Sequence, residues 1–292
     1  MPALGTHVIQ AKKCYDEMKP KIEIDRDFLG ASAISHDTIA LLPGEYMRVF
    51  TEAHEAKTDD YFLALIQYIK ENNLREDANA MAFLYGQIMH YALDTSTHPL
   101  IYYMTECHPA KFLVSMLGAH TLFEAWYDVY RENEEKSKDE AFNPKYAFVK
   151  KVCEGGINPM IDAVYGEVYG LKNAAKGFKS GIKVWEIYQT RLRGLMLNHV
   201  KKYHSDFERM LNPDGACFLH PVTNVLLNTT FDQAYHRSFS LACELIEAVD
   251  ANIYDGAGNE DTLKAAFGNS YDTGEDWRNP NPKRYFLGYR PK

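Results

Sequence analysis

Apolar residues in this chain recur at the three- and four-residue spacing of a helix, and no stretch sustains the two-residue alternation of a half-buried strand. The clearest case runs from Asp59 to Glu71. Tyr61, Phe62, Leu65, Ile66 and Ile69 form one apolar stripe there, behind Thr58, a residue suited to capping a helix N-terminus. Glu45 to Ala56 has the same character and follows the turn signal Pro43-Gly44. Residues 7 to 19 read as a short helix closed by Pro20, and segments near 145–168, 172–210 and 229–254 complete the set. ASAISHD, residues 31–37, reads as a turn. The pattern predicts an all-α fold, a single multi-helix globule. Its N-terminal half is residues 1–130 and its C-terminal half 131–254, divided at the polar run RENEEKSKDE (131–140). Residues 255–292 form an irregular tail rich in Pro and Gly.

One stretch departs from simple amphipathicity. DANAMAFLYGQIMHYALDTSTHP, Asp77 to Pro99, is apolar on nearly every face, as befits a helix at the centre of its domain. Its second half nevertheless carries His90, Asp94 and His98 at i, i+4 and i+8. That spacing stacks three ligand-type side chains on one stripe. Buried polar groups must be satisfied, and a metal ion is one way of doing so. Pro99 disfavours helical backbone at the residue before it, so His98 is expected at a frayed end, aimed elsewhere. A second helix, starting near Ala110, carries His120, Glu124 and Asp128 at the same spacing. Two His/carboxylate pairs on neighbouring helices supply four ligands to one cleft, as in metal sites within helical bundles. Asp128 would either hold an imidazole by its other ring nitrogen or lie solvated beside the polar run.

Composition alters this picture little. The chain has 292 residues and a net charge of -8, which suits a globular protein and disfavours a nucleic-acid backbone as partner. Five cysteines (Cys14, Cys107, Cys153, Cys217 and Cys243) are scattered without a CxxC pair, as reduced thiols in a reducing compartment would be. The N-terminus has no apolar signal-peptide core, and no run approaches the ~20 apolar residues of a membrane span. The expected location is cytoplasmic.

The same motifs carry a family resemblance. Gly5-Thr6-His7, LGASAISHD (29–37), the isolated His54, GQIMHYALDTSTHP (86–99) and HTLFEAWYD (120–128) resemble the zinc-dependent phospholipase C family. FLHPVTN (218–224), FDQAYHRSFSLACELIEAV (231–249) and NSYDTG (269–274) extend the likeness towards the C-terminus. The resemblance implies an all-α fold related to the S1/P1-type nucleases, and a cluster of two or three zinc ions. On it, Asp37, His54, His90 and Asp94 would hold one zinc. Asp94 would bridge to a second, shared with His7, and His98, His120 and Glu124 would hold a third. Asp37 is the implied catalytic residue, orienting or deprotonating the water that attacks phosphorus. The implied activity is zinc-dependent hydrolysis of a phosphoric ester, with a small phosphoester or a phospholipid as substrate. Family members whose mature chain begins with tryptophan use its α-amine as a ligand. Here Pro2 follows Met1, and the nitrogen of Pro2 is the expected replacement. Other readings stay open: an S1/P1-like nuclease; an HD-type phosphohydrolase built on His7, His36-Asp37 and Asp94; and a non-catalytic helical protein that zinc stabilises.

Overall fold

The helix that is apolar on every face is the axis of the fold. The structure is a computed structural model that describes residues 4–18, 20–106, 119–135, 156–187 and 204–279. Its helices are α1 (Leu4–Glu17), α2 (Arg26–Ser32), α3 (Ser35–Thr38), α4 (Glu45–Glu55), α5 (Thr58–Glu71) and α6 (Ala78–Glu106). They continue as α7 (Ala119–Glu135), α8 (Asn158–Tyr169), α9 (Ala174–Ile187), α10 (His204–Met210), α11 (Phe231–Tyr254) and α12 (Glu260–Ala266). Phe218–Leu219 and Leu226–Leu227 pair as a short antiparallel hairpin, the one sheet among the described residues. The chain is therefore all-α, as its periodicity predicts. No helix among the described residues is long and apolar enough to cross a membrane.

Along α6, Met81, Leu84, Tyr85, Ile88 and Met89 are wholly buried. Helices α11, α2, α1 and α7 pack against it. Polar groups on α6 are satisfied by these neighbours. Tyr85 donates its hydroxyl to Asp250 of α11 at 2.6 Å. Gln87 donates to the Ser32 carbonyl and the Ser35 hydroxyl, both at 2.6 Å, and accepts from the Tyr61 hydroxyl at 2.9 Å. One amide thus ties α6 to α2, α3 and α5. Between these tethers sits Gly86. A Cβ there would stand 2.6 Å from Ser32 Cβ and 2.9 Å from the Leu29 carbonyl oxygen. The glycine is what lets α2 lie against the α6 backbone.

Several local expectations change. ASAISHD is helical in large part: α2 is capped by Asp25, whose carboxylate accepts from the amides of Asp27 and Phe28, and Ser32 and Ser35 return their hydroxyls to main-chain carbonyls. Serines that favour turns in isolation are absorbed here by tertiary packing. Thr58 is the first residue of α5 rather than its cap; Lys57, in the left-handed region, precedes the helix. Most consequentially, α6 does not fray before Pro99 but runs through it to Glu106. Pro99 cannot donate to the Thr95 carbonyl four residues back, and Gly274 of a C-terminal loop lies over that oxygen instead. Its absent Cβ would be 2.5 Å away.

The polar run at 131–140 begins inside α7, and its first residue is buried. Arg131 stacks over the Tyr127 and Tyr235 rings and reaches Asp232. The stretch from residue 255 is not irregular throughout, since Asn259 caps the helix Glu260–Ala266 within it. The helix start expected near Ala110, the tail beyond Asn279, and Cys107, Cys153 and Pro2 lie outside the described residues.

Replacing Gly86 with Ala should force α2 from α6 and cost about 3 kcal/mol, the upper range for overpacking. Urea denaturation of wild type and Gly86→Ala measures it; a loss below about 0.5 kcal/mol would contradict this packing.

Candidate metal centre

The eight residues singled out in the sequence come from five helices. His7 lies in the first turns of α1, Asp37 in α3, His54 at the end of α4, His90, Asp94 and His98 on α6, and His120 and Glu124 on α7. The structure brings them together in three groups: His7, Asp37 and His90; His54, His90 and Asp94; and His98, His120 and Glu124. In each group the candidate ligand atoms lie within 4.8 Å of one another. All eight are buried except His120, which is partly so. His98 belongs fully to this arrangement. Because α6 continues past Pro99, its ring stays on the stripe of His90 and Asp94, and its Nε2 is 3.4 Å from Glu124 Oε1 and 3.7 Å from Asp94 Oδ1.

The ring orientations are fixed from behind. His54 Nδ1 lies 2.8 Å from the Phe50 carbonyl oxygen, His90 Nδ1 2.7 Å from that of Ala33, and His98 Nδ1 2.8 Å from that of Tyr271. A carbonyl oxygen only accepts, so each Nδ1 carries a proton and donates it. Each Nε2 then turns inward as the position for a metal or a second proton. What it meets there is carboxylate: Asp37 Oδ1 at 3.0 Å from His54, and Asp94 Oδ2 at 3.1 Å from His90. His7 Nε2 is 3.2 Å from Asp94 Oδ1, its ring stacked on His90 at 4.2 Å. Among the described residues, several buried atoms of the cluster find no partner of hydrogen-bond geometry: His7 Nδ1, Asp37 Oδ2, His90 Nε2 and Asp94 Oδ2 despite their closeness, and His120 Nδ1. Such groups are costly to bury unsatisfied. Nitrogen and carboxylate donors with this geometry fit divalent zinc.

Electrostatics point the same way. Burial would raise the Asp94 carboxyl, but His98, His90 and His7 hold it well below the usual range. Asp37 is likewise lowered against its burial by His90 and His54, and Glu124 by His120 and His98. His98 is pushed up to about 10: burial opposes its charge, but Asp94 and Glu124 outweigh it. Without metal the cluster therefore holds a proton on His98.

Two neighbouring residues complete the surroundings of the centre. Asp128 does not lie solvated. It is buried and accepts from the Gly5 amide at 3.0 Å, the Thr6 amide at 2.8 Å and the Thr6 hydroxyl at 2.8 Å. It caps α1, the helix that carries His7, from α7, the helix that carries His120 and Glu124. His36 stands outside the three groups. Its Nδ1 is 3.0 Å from Gln87 Oε1 and 2.8 Å from the Tyr165 hydroxyl, and burial lowers it to about 3, leaving it neutral.

Sequence reasoning missed the C-terminal loop. Besides the Tyr271 carbonyl on His98, Ser270 donates its hydroxyl to the His54 carbonyl at 3.0 Å. The buried Tyr271 ring lies 5.3 Å from those of both His54 and His90. Trp277 and Arg278 clasp Asp59 of α5 and close the loop down. NSYDTG was the one available signal, and main-chain acceptors leave no trace in a residue pattern.

The all-α scaffold thus carries three His/carboxylate groups suited to holding divalent metal ions. The model of the zinc-dependent phospholipase C family matches residues 6–167, more than half of the chain, and the chain belongs to that family. No curated protein and no solved structure matches it.

Two outcomes follow. His90→Ala and His120→Ala should each lower bound zinc without emptying the protein, because they fall in different groups; elemental analysis of gently purified protein reads this, and zinc unchanged by both would overturn the ligand set. Zinc must also displace the proton that His98 holds up to about pH 10. Apparent affinity should then rise with pH through neutrality, and binding should release protons. Calorimetry in buffers of different ionisation enthalpy measures the release, and an absence of it would contradict this charge arrangement.

Proposed function

We propose that this protein hydrolyses phosphoric esters in the manner of a phospholipase C, with two or three zinc ions held by His7, Asp37, His54, His90, Asp94, His98, His120 and Glu124. The observation that carries the reading is the convergence of inward-turned Nε2 atoms, each fixed by a main-chain carbonyl, on buried carboxylates. Zinc bound there supplies acidification of a water and neutralisation of charge growing on a phosphoryl oxygen.

The chain's own groups do the rest. Asp94 faces His7, His90 and His98 at once, which supports a bridging role. Asp37 is held in its anionic form, meets His54 through Oδ1, and among the described residues has no hydrogen bond to Oδ2. That supports Asp37 as the group that orients the attacking water and accepts its proton. The Trp185 indole donates to the Asp37 main-chain carbonyl at 3.3 Å and helps hold α3 in place. A small phosphoester or a phospholipid is the substrate class, and a cytoplasmic setting would favour a soluble ester or an inner-leaflet lipid.

An S1/P1-like nuclease would share this centre and differ in its substrate pocket; the net charge of -8 weighs against a nucleic-acid substrate. The HD-type reading needs His36 as a ligand, and His36 belongs to none of the three His/carboxylate groups, its Nδ1 being taken by Gln87 and Tyr165.

The test is to assay zinc-loaded protein on a phosphocholine ester and on single-stranded DNA. The expected result is release of phosphocholine with the DNA intact, and a kcat lower by at least about 10²-fold in Asp37→Asn. Cleavage of DNA alone would put the nuclease reading first. Inertness towards both substrates at full zinc loading would leave a zinc-stabilised, non-catalytic protein.

A further inference from the structure

Away from the metal centre, two sulfurs meet between helices that are distant in sequence. Cys14, near the end of α1, and Cys243, midway along α11, have their Sγ atoms 3.8 Å apart. About one turn earlier on each helix, Gln10 donates to the Ser238 hydroxyl at 3.4 Å. The two helices therefore lie alongside one another at this point. Cys14 is buried and Cys243 is partly exposed, so one sulfur can meet a dissolved reagent while its partner stays shielded.

We propose that Cys14 and Cys243 form a site of reversible two-electron oxidation, closed to a disulfide by hydrogen peroxide, a small uncharged oxidant. The Cys243 sulfur attacks one peroxide oxygen; the O–O bond breaks, one oxygen leaves as water, and Cys243 becomes a sulfenic acid. The Cys14 sulfur then attacks Cys243 Sγ. The S–O bond breaks and the departing oxygen takes up the Cys14 proton as a second water. Two thiols are oxidised to one disulfide, and one peroxide is reduced to two waters.

Three features support this assignment. The sulfur contact of 3.8 Å places the resolving thiol beside the attacked one before any reaction, and has to close to the bonded distance of about 2.0 Å. A hydrogen bond from Cys14 favours the Cys243 thiolate, bringing it to about 7 against burial and the nearby Glu17, Glu244 and Glu247. Those carboxylates make the approach acidic, which disfavours anionic disulfides such as oxidised glutathione and leaves a neutral peroxide as the matching oxidant. The cross-link would also pin the C-terminal end of α1, whose N-terminal end Asp128 already caps. His7 lies between the two fastenings.

The test treats the full-length protein with limiting hydrogen peroxide and maps its peptides without reduction. Oxidation of the exposed Cys217 serves as the internal control. The expected product is one linked peptide pair containing Cys14 and Cys243, lighter by two hydrogens and restored by dithiothreitol. It should vanish in Cys243→Ser, a partly exposed position where the fold is retained, and persist in Cys217→Ser. The linked form should melt about 5 °C or more above the reduced form, since the bridge constrains a long loop of the unfolded chain. Oxidised Cys217 without the Cys14–Cys243 link would overturn the proposal. So would Cys243 accumulating as sulfinic acid, or either cysteine pairing elsewhere.

Discussion

Imidazole nitrogens and carboxylate oxygens face one another at about hydrogen-bonding distance inside this protein, with little water to screen them. That is the constraint on which the structure turns. Bare carboxylates packed this closely in a medium of low dielectric would repel strongly and remain poorly solvated. Positive charge must be held among them, as protons on groups such as His98 or as metal ions. The surrounding helices keep the charged atoms from moving apart: Gln87 locks α6 to three neighbours, Asp128 joins α7 to α1, and the 268–278 loop is fastened through Asp59.

This explains why the region of least polar sequence surrounds the most polar atoms. A fully apolar α6 can lie at the centre only because its ligand stripe is answered by other helices. Helix α2 lies against it through the approach that Gly86 allows, and α1 is held by the capping carboxylate of Asp128. Rigid placement on helices suits a centre in which the donors must be held in position before any substrate arrives.

Much of this was legible in the residue pattern, but unevenly. His90 with Asp94, and His120 with Glu124, could be read directly, because helical spacing alone puts them on common stripes. His7, Asp37 and His54 could not. They sit on three other helices, and only the family resemblance drew them into the set; the fold then brought them within reach. Pro99 misled, because a local rule about the residue before proline was overridden by a distant loop lying over the freed carbonyl. Asp128 was misread for a related reason. Its partners are main-chain amides far away in the chain, and amides have no identity in a sequence. The carbonyls of Ala33, Phe50 and Tyr271, which orient three imidazoles, were invisible on the same ground.

The uninterrupted course of α6 through Pro99 has a consequence for how the gene can vary. His90, Asp94 and His98 are measured out along one axis, so inserting or deleting a single codon between them would turn every later ligand by about 100° and move it by about 1.5 Å. Substitutions at the outward positions of this stretch could be accepted, but changes of length could not. Relatives that keep the chemistry should therefore share the residue count from His90 to His98, however far their loops have diverged.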